Sequence, residues 1–340
     1  MLKKYYVLTI FFSFALLMSF SESIFEGFVN PEHFPDPVYD VIKDPVTKES
    51  FELGRKLFYE VALSRDNSIS CGSCHIQSSA FTQHGHDVSH GIEDRLGSRN
   101  SPPIMNLAWN ESFFWDGGVF HLDLFSISPI TNPVEMDEKI ENVLEKLRSK
   151  EEYRERFKSV YGSDEITGNQ LFKSLSHFMV MCISSNSKYD SIMQKTEVRF
   201  TEVEERGYKV FLNNCSSCHK EPLFTDGSFR NNGLDNKFNP DIGRQTITLD
   251  PDDKFKFKVP SLRNLTYTAP YMHDGRFTKI DQVLDHYSKG VQNSHTLDPL
   301  LKRNGQLGIP LSADEKLELI AFLKTLDDEY FITRKDLSEQ

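Results

Sequence analysis

Two short stretches decide the fold: Cys71-Gly-Ser-Cys74-His75 in the first half of the chain and Cys215-Ser-Ser-Cys218-His219 in the second. Both have the spacing Cys-x-x-Cys-His, in which two cysteines form thioether bonds to a porphyrin and the adjacent histidine binds its iron. With 5 Cys and 11 His among 340 residues, chance would supply only about 0.002 such motifs. The sequence therefore predicts two covalently attached c-type haems, with His75 and His219 as proximal iron ligands.

A close cysteine pair can also serve different chemistry. A redox-active dithiol or half of a zinc site could have the same cysteine spacing. Neither needs the histidine that directly follows the second cysteine in both copies. The remaining cysteine, Cys182, lies in an apolar run and is typical of a small buried hydrophobe.

A loose repeat surrounds the two motifs. Gly54-Arg-Lys-Leu-Phe58 precedes the first motif and Gly207-Tyr-Lys-Val-Phe211 the second, each with glycine and phenylalanine on one helical face. After each motif come an Arg-Asn pair and an aromatic-rich segment that ends in Asp-Gly. A duplicated haem domain explains the repeat. We predict a mainly α fold of two cytochrome c-like haem domains with long irregular loops, residues 24–195 and 196–340.

Local signals locate several helices. Thr201 with Glu204, and Ser312 with Glu315, have the capping-box pattern of a helix start. Apolar residues recur at helical spacing from Glu138 to Tyr161. We expect helices at all three places.

The first residues have the order of a secretory signal peptide. Two lysines follow the initial Met-Leu, and an uncharged apolar stretch runs from Tyr5 to Phe20. This stretch is shorter than the roughly 20 residues that a spanning helix needs. We therefore expect residues 1–23 to be removed on export to the periplasm, with an uncleaved membrane anchor as the alternative. We expect no membrane span in the mature protein.

The charge bears on possible partners. A net charge of −11 argues against nucleic acid as a partner.

With the haem motifs placed, the chain resembles the bacterial dihaem cytochrome c peroxidase family, including its MauG-like branch, over nearly all of the mature sequence. The resemblance implies that the N-terminal haem meets peroxide and that the C-terminal haem relays electrons. Beyond the haem motifs it rests on Arg99-Asn-Ser-Pro102, Phe114-Trp-Asp-Gly117, Asn132-Pro-Val-Glu-Met136, Lys258-Val-Pro-Ser-Leu-Arg-Asn264 and Pro270-Tyr-Met-His-Asp-Gly275.

The resemblance implies a catalytic role for Glu135, which falls on the family's distal glutamate. A carboxylate there can take a proton from the near oxygen of peroxide and return it to the departing hydroxide. Pro129 matches a pocket position of the family. The family's pocket glutamine, however, is replaced by Phe125, which removes one hydrogen-bond donor. Without the resemblance, Glu135 would be interpreted as a solvated acid in a loop.

Trp115 corresponds to the tryptophan that lies between the two haems and passes electrons, although a core tryptophan is the simpler interpretation. Asn100, Thr268 and Pro270 match positions that bind an inter-domain calcium ion in the family. One of them acts through its side-chain oxygen and two through backbone carbonyls. Oxygen ligands suit Ca²⁺. Asn100 could otherwise cap a turn.

The sixth ligand of the C-terminal iron departs from the pattern of many family members. Those members have a methionine fourteen residues after the histidine of the Pro-Tyr-x-His-Asp-Gly motif, and counting from His273 this chain has Tyr287. MauG-like proteins also have tyrosine there. An anionic oxygen ligand should lower the potential of that haem relative to methionine. Met272 and His286 remain alternative ligands.

The N-terminal haem shows a second departure. Many members carry a removable distal histidine as the last residue of a Ser-x-Gly-His stretch, and the corresponding stretch here is Ser89-His-Gly-Ile92. The histidine is absent from its place, although His84, His86 and His90 lie in the same loop. These three could bind metal, gate the iron or face solvent. The simplest hypothesis is an iron open to peroxide in the resting state.

Together these features predict a periplasmic dihaem peroxidase. We expect it to reduce hydrogen peroxide to water with electrons from a small redox protein, a cytochrome c or a cupredoxin. One alternative is MauG-like, peroxide-dependent oxidation of a protein substrate. The other is a non-catalytic dihaem electron carrier, which would require two six-coordinate irons.

Overall fold

The structure is a computed structural model that describes residues 25–234, 241–303 and 305–340. The predicted signal peptide, residues 1–23, lies outside the described residues. Across the described ranges, no helix combines the length and apolar character needed to cross a bilayer.

The described chain is mainly helical, which confirms the predicted fold class. Its α-helices are α1 Lys48–Phe58, α2 Cys71–Cys74, α3 Ile127–Thr131, α4 Ile140–Ser149, α5 Glu151–Tyr161, α6 Gly168–Val180, α7 Lys188–Met193, α8 Glu202–Asn214, α9 Gln245–Thr248, α10 Ile280–Asp285, α11 Ala313–Leu323 and α12 Glu329–Thr333. A π-helical turn, His286–Gly290, continues α10.

Short 3-10 turns and two small ribbons complete the described secondary structure. The 3-10 turns are Val61–Leu63, Gln77–Ser79, Ile92–Asp94, Leu107–Trp109, Leu122–Leu124, Pro251–Asp253, Pro299–Leu301, Lys324–Leu326 and Lys335–Leu337. Strand β1, Phe229–Arg230, pairs antiparallel with β2, Phe257–Lys258, so that Phe229 lies opposite Lys258. Strand β3, Lys302–Arg303, pairs antiparallel with β4, Gln306–Leu307.

Each half of the chain contains one closely packed helix pair, α1 with α6 and α8 with α11. A Cβ atom added to Gly54 would lie 1.9 Å from the carbonyl oxygen of Ser174, and one added to Gly207 would lie 1.9 Å from that of Glu318. Only glycine permits backbones to approach so closely. The glycine of each sequence repeat is therefore the contact point of its helix pair.

The phenylalanine of each repeat fills the same packed interface. The ring centroids of Phe58 and Phe178 are 4.8 Å apart, and those of Phe211 and Phe322 are 5.1 Å apart. The repeat seen in the sequence thus corresponds to one packing arrangement used twice. This arrangement agrees with a duplicated domain.

The two capping boxes are confirmed, at Thr201 for α8 and at Ser312 for α11. The stretch from Glu138 to Tyr161, in contrast, forms two helices because Lys150 is extended, with φ −96° and ψ 120°. Two glutamates in the first turn of α5 favour a new helix start there.

The end of the chain returns to the first hydrophobic core. Phe331 and Leu337 are fully buried among residues of the N-terminal half, and the ring centroid of Phe331 lies 5.6 Å from that of Phe81. The division into residues 24–195 and 196–340 stays a prediction, and this C-terminal segment packs across it.

A buried ion pair connects distant parts of the chain. Arg263 donates to both carboxylate oxygens of Asp190, at 2.8 and 2.7 Å, and Nε2 of His33 lies 2.8 Å from the same carboxylate. Burial alone would raise the pKa of Asp190, but the hydrogen bonds from Arg263 and His33 outweigh it and hold that pKa below its ordinary value. The N-terminal segment is thereby joined to α7 and to the loop after β2.

Candidate active site

The first motif forms a single helical turn, α2, that brings its two cysteines to one side. The backbone N–H of His75 donates to the carbonyl of Cys71 at 2.9 Å. Nδ1 of His75 lies 2.8 Å from the carbonyl oxygen of Phe81. When Nδ1 carries the proton and donates to this carbonyl, Nε2 is left as a metal ligand, as in most histidine-metal sites. The local geometry therefore suits a proximal histidine.

The electrostatics of the first motif show that Glu135 lies close to its thiols. Burial raises the pKa of Cys71 to about 12, with Cys74 and Glu135 adding to the rise. Burial likewise raises the pKa of Cys74 to about 11, again with a contribution from Glu135. Burial lowers the pKa of His75 to about 4. The motif thus presents neutral thiols and a neutral imidazole, the states that suit thioether attachment and iron ligation.

A short loop and a side-chain amide hold Glu135 in place. The amide of Asn132 donates to Oε1 of Glu135 at 2.7 Å, and the backbone N–H of Ile92 donates to the carbonyl of Glu135 at 2.7 Å. A Cβ atom on Gly91 would lie 2.6 Å from Cα of Glu135, so this approach requires glycine. Burial raises the pKa of Glu135 above its ordinary value, and the Asn132 hydrogen bond opposes that rise.

Pro129 and Phe125 are the two other positions that the family resemblance assigned to the pocket. The carbonyl of Pro129 accepts from the backbone N–H of Met136 at 3.2 Å. Phe125 is buried and stacks on Phe114 with a centroid distance of 4.7 Å. The position of the family's glutamine is therefore filled by an aromatic pair.

The three loop histidines do not form a metal site. His84 and His86 are exposed, and Nδ1 of His90 lies 2.5 Å from Oδ1 of Asp94. Within the described ranges, no group of three or more His, Cys, Asp or Glu side chains could hold a metal ion. The geometry favours loop packing and solvent contact for these histidines.

The second motif opens onto an apolar cavity of about 220 Å³ that Cys215, Cys218 and His219 line. Nδ1 of His219 lies 3.2 Å from the carbonyl oxygen of Phe224 and 3.1 Å from that of Pro260, which again leaves Nε2 for a metal. Burial lowers the pKa of His219. These donors and the apolar walls fit a covalently attached haem.

Two of the three candidate sixth ligands line this cavity, Tyr287 and Met272. Tyr287 lies in the π-helical turn, a feature often found at functional sites. Burial raises the pKa of Tyr287 to about 12, whereas a hydrogen bond with Asn232 lowers it. Nε2 of His286, in contrast, lies 3.0 Å from the carbonyl of Asn232. His286 is thus the least suited of the three.

Trp115 lies where the N-terminal half of the chain contacts the C-terminal half, a region that we call the seam. Its Nε1 donates to the carbonyl of Asn100 at 2.8 Å, and its own carbonyl accepts from the backbone N–H of Lys258 at 2.7 Å. Trp115 lines the second-motif cavity and also a smaller cavity of about 90 Å³ beside Phe114 and Phe125. The indole therefore borders both the second-motif cavity and a smaller cavity lined mainly by residues of the N-terminal half.

The predicted calcium ligands converge on the same seam. Asn100 is buried, and its Nδ2 lies 3.1 Å from the carbonyl of Pro270. Thr268 and Pro270 line the second-motif cavity with it. Reversing the amide, whose N and O positions are an assignment, would turn Oδ1 of Asn100 toward the Pro270 carbonyl. Only after such a reversal would Asn100 offer an oxygen ligand, so the calcium site stays a prediction.

Sequence reasoning missed two partner residues. Asn132, which donates to Glu135, lies three residues before it within the same motif, so the Asx-type spacing could have indicated it. Asn232 contacts Met272, with Nδ2 3.6 Å from Sδ, and it also bonds Tyr287. No local pattern around Asn232 indicated these contacts.

Comparisons with known proteins identify the family. A family profile described as di-haem cytochrome c peroxidase matches residues 48–198. The methylamine utilization protein MauG of Methylorubrum extorquens is 33% identical over 313 residues, which cover 89% of this chain and 84% of that protein. The chain belongs to the dihaem cytochrome c peroxidase family. This dihaem peroxidase is also 32% identical over 286 residues to cytochrome c551 peroxidase of Nitrosomonas europaea, covering 83% and 81% of the two chains.

Solved structures agree with this assignment. A MauG-like protein associated with microbial copper homeostasis has a TM-score of 0.82 and 33% identity, covering 91% of this chain and 97% of that one. The dihaem peroxidase BthA of Burkholderia thailandensis, at 19% identity and a TM-score of 0.73, shares the fold. The predicted cytochrome c-like architecture and MauG-like branch are confirmed. The chain is thus a peroxidase-type oxidoreductase with haem cofactors.

Proposed function

We propose that this protein reduces hydrogen peroxide to water in the periplasm, with electrons from a small cytochrome c or cupredoxin. The observation that carries the proposal is the placement of Glu135, whose carboxyl Asn132 orients. Its backbone packs against Gly91, next to the His90 carbonyl that lies 3.8 Å from Sγ of Cys74 in the first Cys-x-x-Cys-His motif. An acid–base group beside a haem attachment site is what peroxide chemistry needs. A plain electron carrier has no use for it.

The haems would be held by the two motifs. Cys71 and Cys74 would attach one porphyrin and Cys215 and Cys218 the other, while Nε2 of the histidine that follows each pair would bind iron. When bound, the haems would supply the redox-active iron for the reduction of peroxide. Asn100, Thr268 and Pro270 would bind one Ca²⁺ at the seam between them.

Glu135 is suited to moving a proton between the two peroxide oxygens. Its Oε1 accepts from Asn132, and across the described ranges no hydrogen bond is made by Oε2. Oε2 can therefore take the proton from the near oxygen and deliver it to the departing one. The raised pKa of Glu135 brings its proton affinity closer to that of the groups it serves. Pro129 and the Phe125–Phe114 pair would exclude water from this reaction.

The two halves of the chain would have different roles in the reaction. In this proposal residues 24–195 bind peroxide, and residues 196–340 receive electrons at the second haem, with Tyr287 as its sixth ligand. Trp115 would pass electrons between them, since it lines the second-motif cavity and a smaller cavity lined mainly by residues of the N-terminal half. Residues 1–23 would direct the chain to the periplasm.

MauG-like oxidation of a protein side chain is the second candidate. It is favoured by Tyr287, which lines the second-motif cavity, and by the similarity to MauG itself. An oxygen ligand favours ferric and higher-valent iron. Such iron could draw electrons from a substrate protein instead of a small carrier.

Electron accounting separates the two candidates. Purified protein is given hydrogen peroxide together with a reduced cytochrome c, a reduced cupredoxin or no donor, and the loss of peroxide and of reduced carrier are both followed. We expect two carriers to be oxidised for each peroxide consumed. Failure of every small donor, with peroxide consumed only when a second protein becomes oxidised, would favour the MauG-like activity. No peroxide consumption under any condition would contradict both.

A further inference from the structure

Lys258 is a lysine at the seam whose ammonium has an unusual environment. Nζ donates to the carbonyl oxygen of Ser112 at 2.6 Å and lies 5.9 Å from the ring centroid of Phe113. Its backbone is fixed at both sides, by pairing opposite Phe229 and by the hydrogen bond to the carbonyl of Trp115. The ammonium position is therefore set by strand β2 and not by a flexible loop.

The ammonium of Lys258 has no carboxylate partner in the part of the chain that the structure describes. Burial, as the single cause, lowers the pKa of Lys258 to about 8. Desolvating an ammonium without an anion is costly, and buried charges in proteins are generally paired. One neutral carbonyl is weak compensation, so the site is suited to an anion that the described residues do not provide.

The surroundings of Lys258 indicate where that anion would come from. Lys258 lines the apolar cavity that also contains Cys215, Cys218 and His219, and it lines the adjoining smaller cavity together with Phe113 and Trp115. Arg230, another cation in the wall of this cavity, is already bound to Asp226 and Asp298, at 2.8 and 2.9 Å. A c-type haem carries two propionate groups, which remain anionic after thioether attachment. Such a carboxylate matches an ammonium that has no carboxylate partner among the described residues.

We propose that Lys258 is the counter-ion of a propionate of the haem bound at the second motif, and that it positions this haem against Trp115. The inference rests on haem occupancy of the second motif, but not on the peroxide reaction. A fixed positive charge beside a haem stabilises the reduced iron relative to the oxidised iron, because reduction lowers the positive charge on the metal. Lys258 therefore raises the reduction potential of that haem and partly offsets the lowering effect of Tyr287.

The test is a redox titration of the purified, haem-loaded protein, followed by the EPR and visible spectra that distinguish the two haems. Lys258→Gln removes the charge but keeps a donor for the Ser112 carbonyl, and Lys258→Arg keeps the charge. Lys256→Gln is the matched control, because Lys256 is two residues away and paired with Asp253 at 3.1 Å.

For Lys258→Gln we expect the equilibrium constant for reduction of the second haem to fall about tenfold, which is about 59 mV for one electron. Lys258→Arg and Lys256→Gln should titrate near the wild type. Infrared difference spectra should show propionate carboxylate bands that shift in Lys258→Gln alone.

Two results would overturn the proposal. One is an unchanged potential and unchanged propionate bands in Lys258→Gln with both haems attached. The other is a loss of thermal stability in Lys258→Gln with an unchanged reduction potential of the second haem, which would show that Lys258 only stabilises the fold through its hydrogen bond to Ser112. If Lys258→Gln fails to load haem, the Lys258→Arg variant decides the question. A wild-type reduction potential of the second haem and wild-type propionate bands in Lys258→Arg support the proposal, and a changed potential or changed bands contradict it. Absence of the second haem from the wild type would instead refute the function on which the inference rests.

Discussion

The side-chain amide of Asn132 donates a 2.7 Å hydrogen bond to Oε1 of Glu135, three residues further along the chain. This contact orients the Glu135 carboxylate. Burial raises the pKa of Glu135, and its negative charge contributes to the raised pKa values of Cys71 and Cys74 in the first haem motif. The proposed proton transfer therefore depends on the structure of this loop, and substitutions of Glu135 and of Asn132 test the two residues separately.

Replacing Glu135 should impair the chemistry and leave assembly intact. Glu135→Gln keeps the size and the Asn132 contact but cannot carry the proton, so we expect peroxide turnover to fall by about 10² or more. Glu141→Gln, in the exposed first turn of α4, is the control and should keep wild-type activity. Both haems should remain attached in each variant. Undiminished turnover in Glu135→Gln would leave Glu135 only a structural role in its loop.

Replacing Asn132 should change the pH dependence of the reaction. The hydrogen bond from Asn132 lowers the pKa of Glu135, against the larger rise caused by burial. Asn132→Leu removes the lowering contribution, so the pKa of Glu135 should rise further and the base form should be lost at a higher pH. The acidic limb of the pH profile of kcat/KM should then move to higher pH. A limb that stays in place, with both haems present, would show that Glu135 is not the group that titrates.

Haem attachment should resist denaturation because it is covalent. Acid-acetone extraction should leave two haems on the wild-type chain. We expect one haem in the Cys71→Ala/Cys74→Ala variant and the other in Cys215→Ala/Cys218→Ala, measured by the pyridine haemochrome assay. Haem that passes into the acetone phase from the wild type would contradict attachment at these motifs.

The buried pair of Arg263 and Asp190 should contribute strongly to stability, because both side chains are inaccessible to solvent. Asp190→Ala leaves the Arg263 charge uncompensated and should lower the free energy of unfolding by about 3–5 kcal/mol. Glu152→Ala, which breaks the exposed pair with Lys56, should change it by about 0–1 kcal/mol. Urea unfolding at neutral pH compares the two, and equal effects would contradict the role given to burial.

The same pair gives an acid dependence. The pKa of Asp190 is lowered in the folded state, so its contribution is complete above the unfolded pKa near about 3.9 and is lost as the pH falls below it. Wild type and Asp190→Ala should therefore converge in stability only in strong acid. Convergence at neutral pH would contradict this sign.

The haem motifs and the repeated glycines were predictable from the sequence because each depends on contacts within a few residues or on one helical face. The helix break at Lys150 was not predictable, because the helical spacing of apolar residues continues through Lys150 and only the backbone conformation changes there. The return of Phe331 to the first core and the contacts of Asn232 also escaped prediction. Both depend on residues far apart in the chain, and no local periodicity records such contacts. Lys258 begins a recognisable motif, but the absence of a carboxylate partner for it among the described residues depends on contacts between distant parts of the chain.

We propose that this dihaem peroxidase has one iron open to peroxide in its resting state. The loop histidines are exposed or bound to neighbouring residues, and a Tyr287-ligated second haem would be hard to reduce, so activation by prior reduction would work poorly. The most direct measurement is the EPR spectrum of the fully oxidised protein before and after one equivalent of peroxide. We predict one high-spin and one low-spin ferric haem, with immediate loss of the high-spin signal on adding peroxide. Two low-spin haems that respond to peroxide only after one-electron reduction would contradict the account.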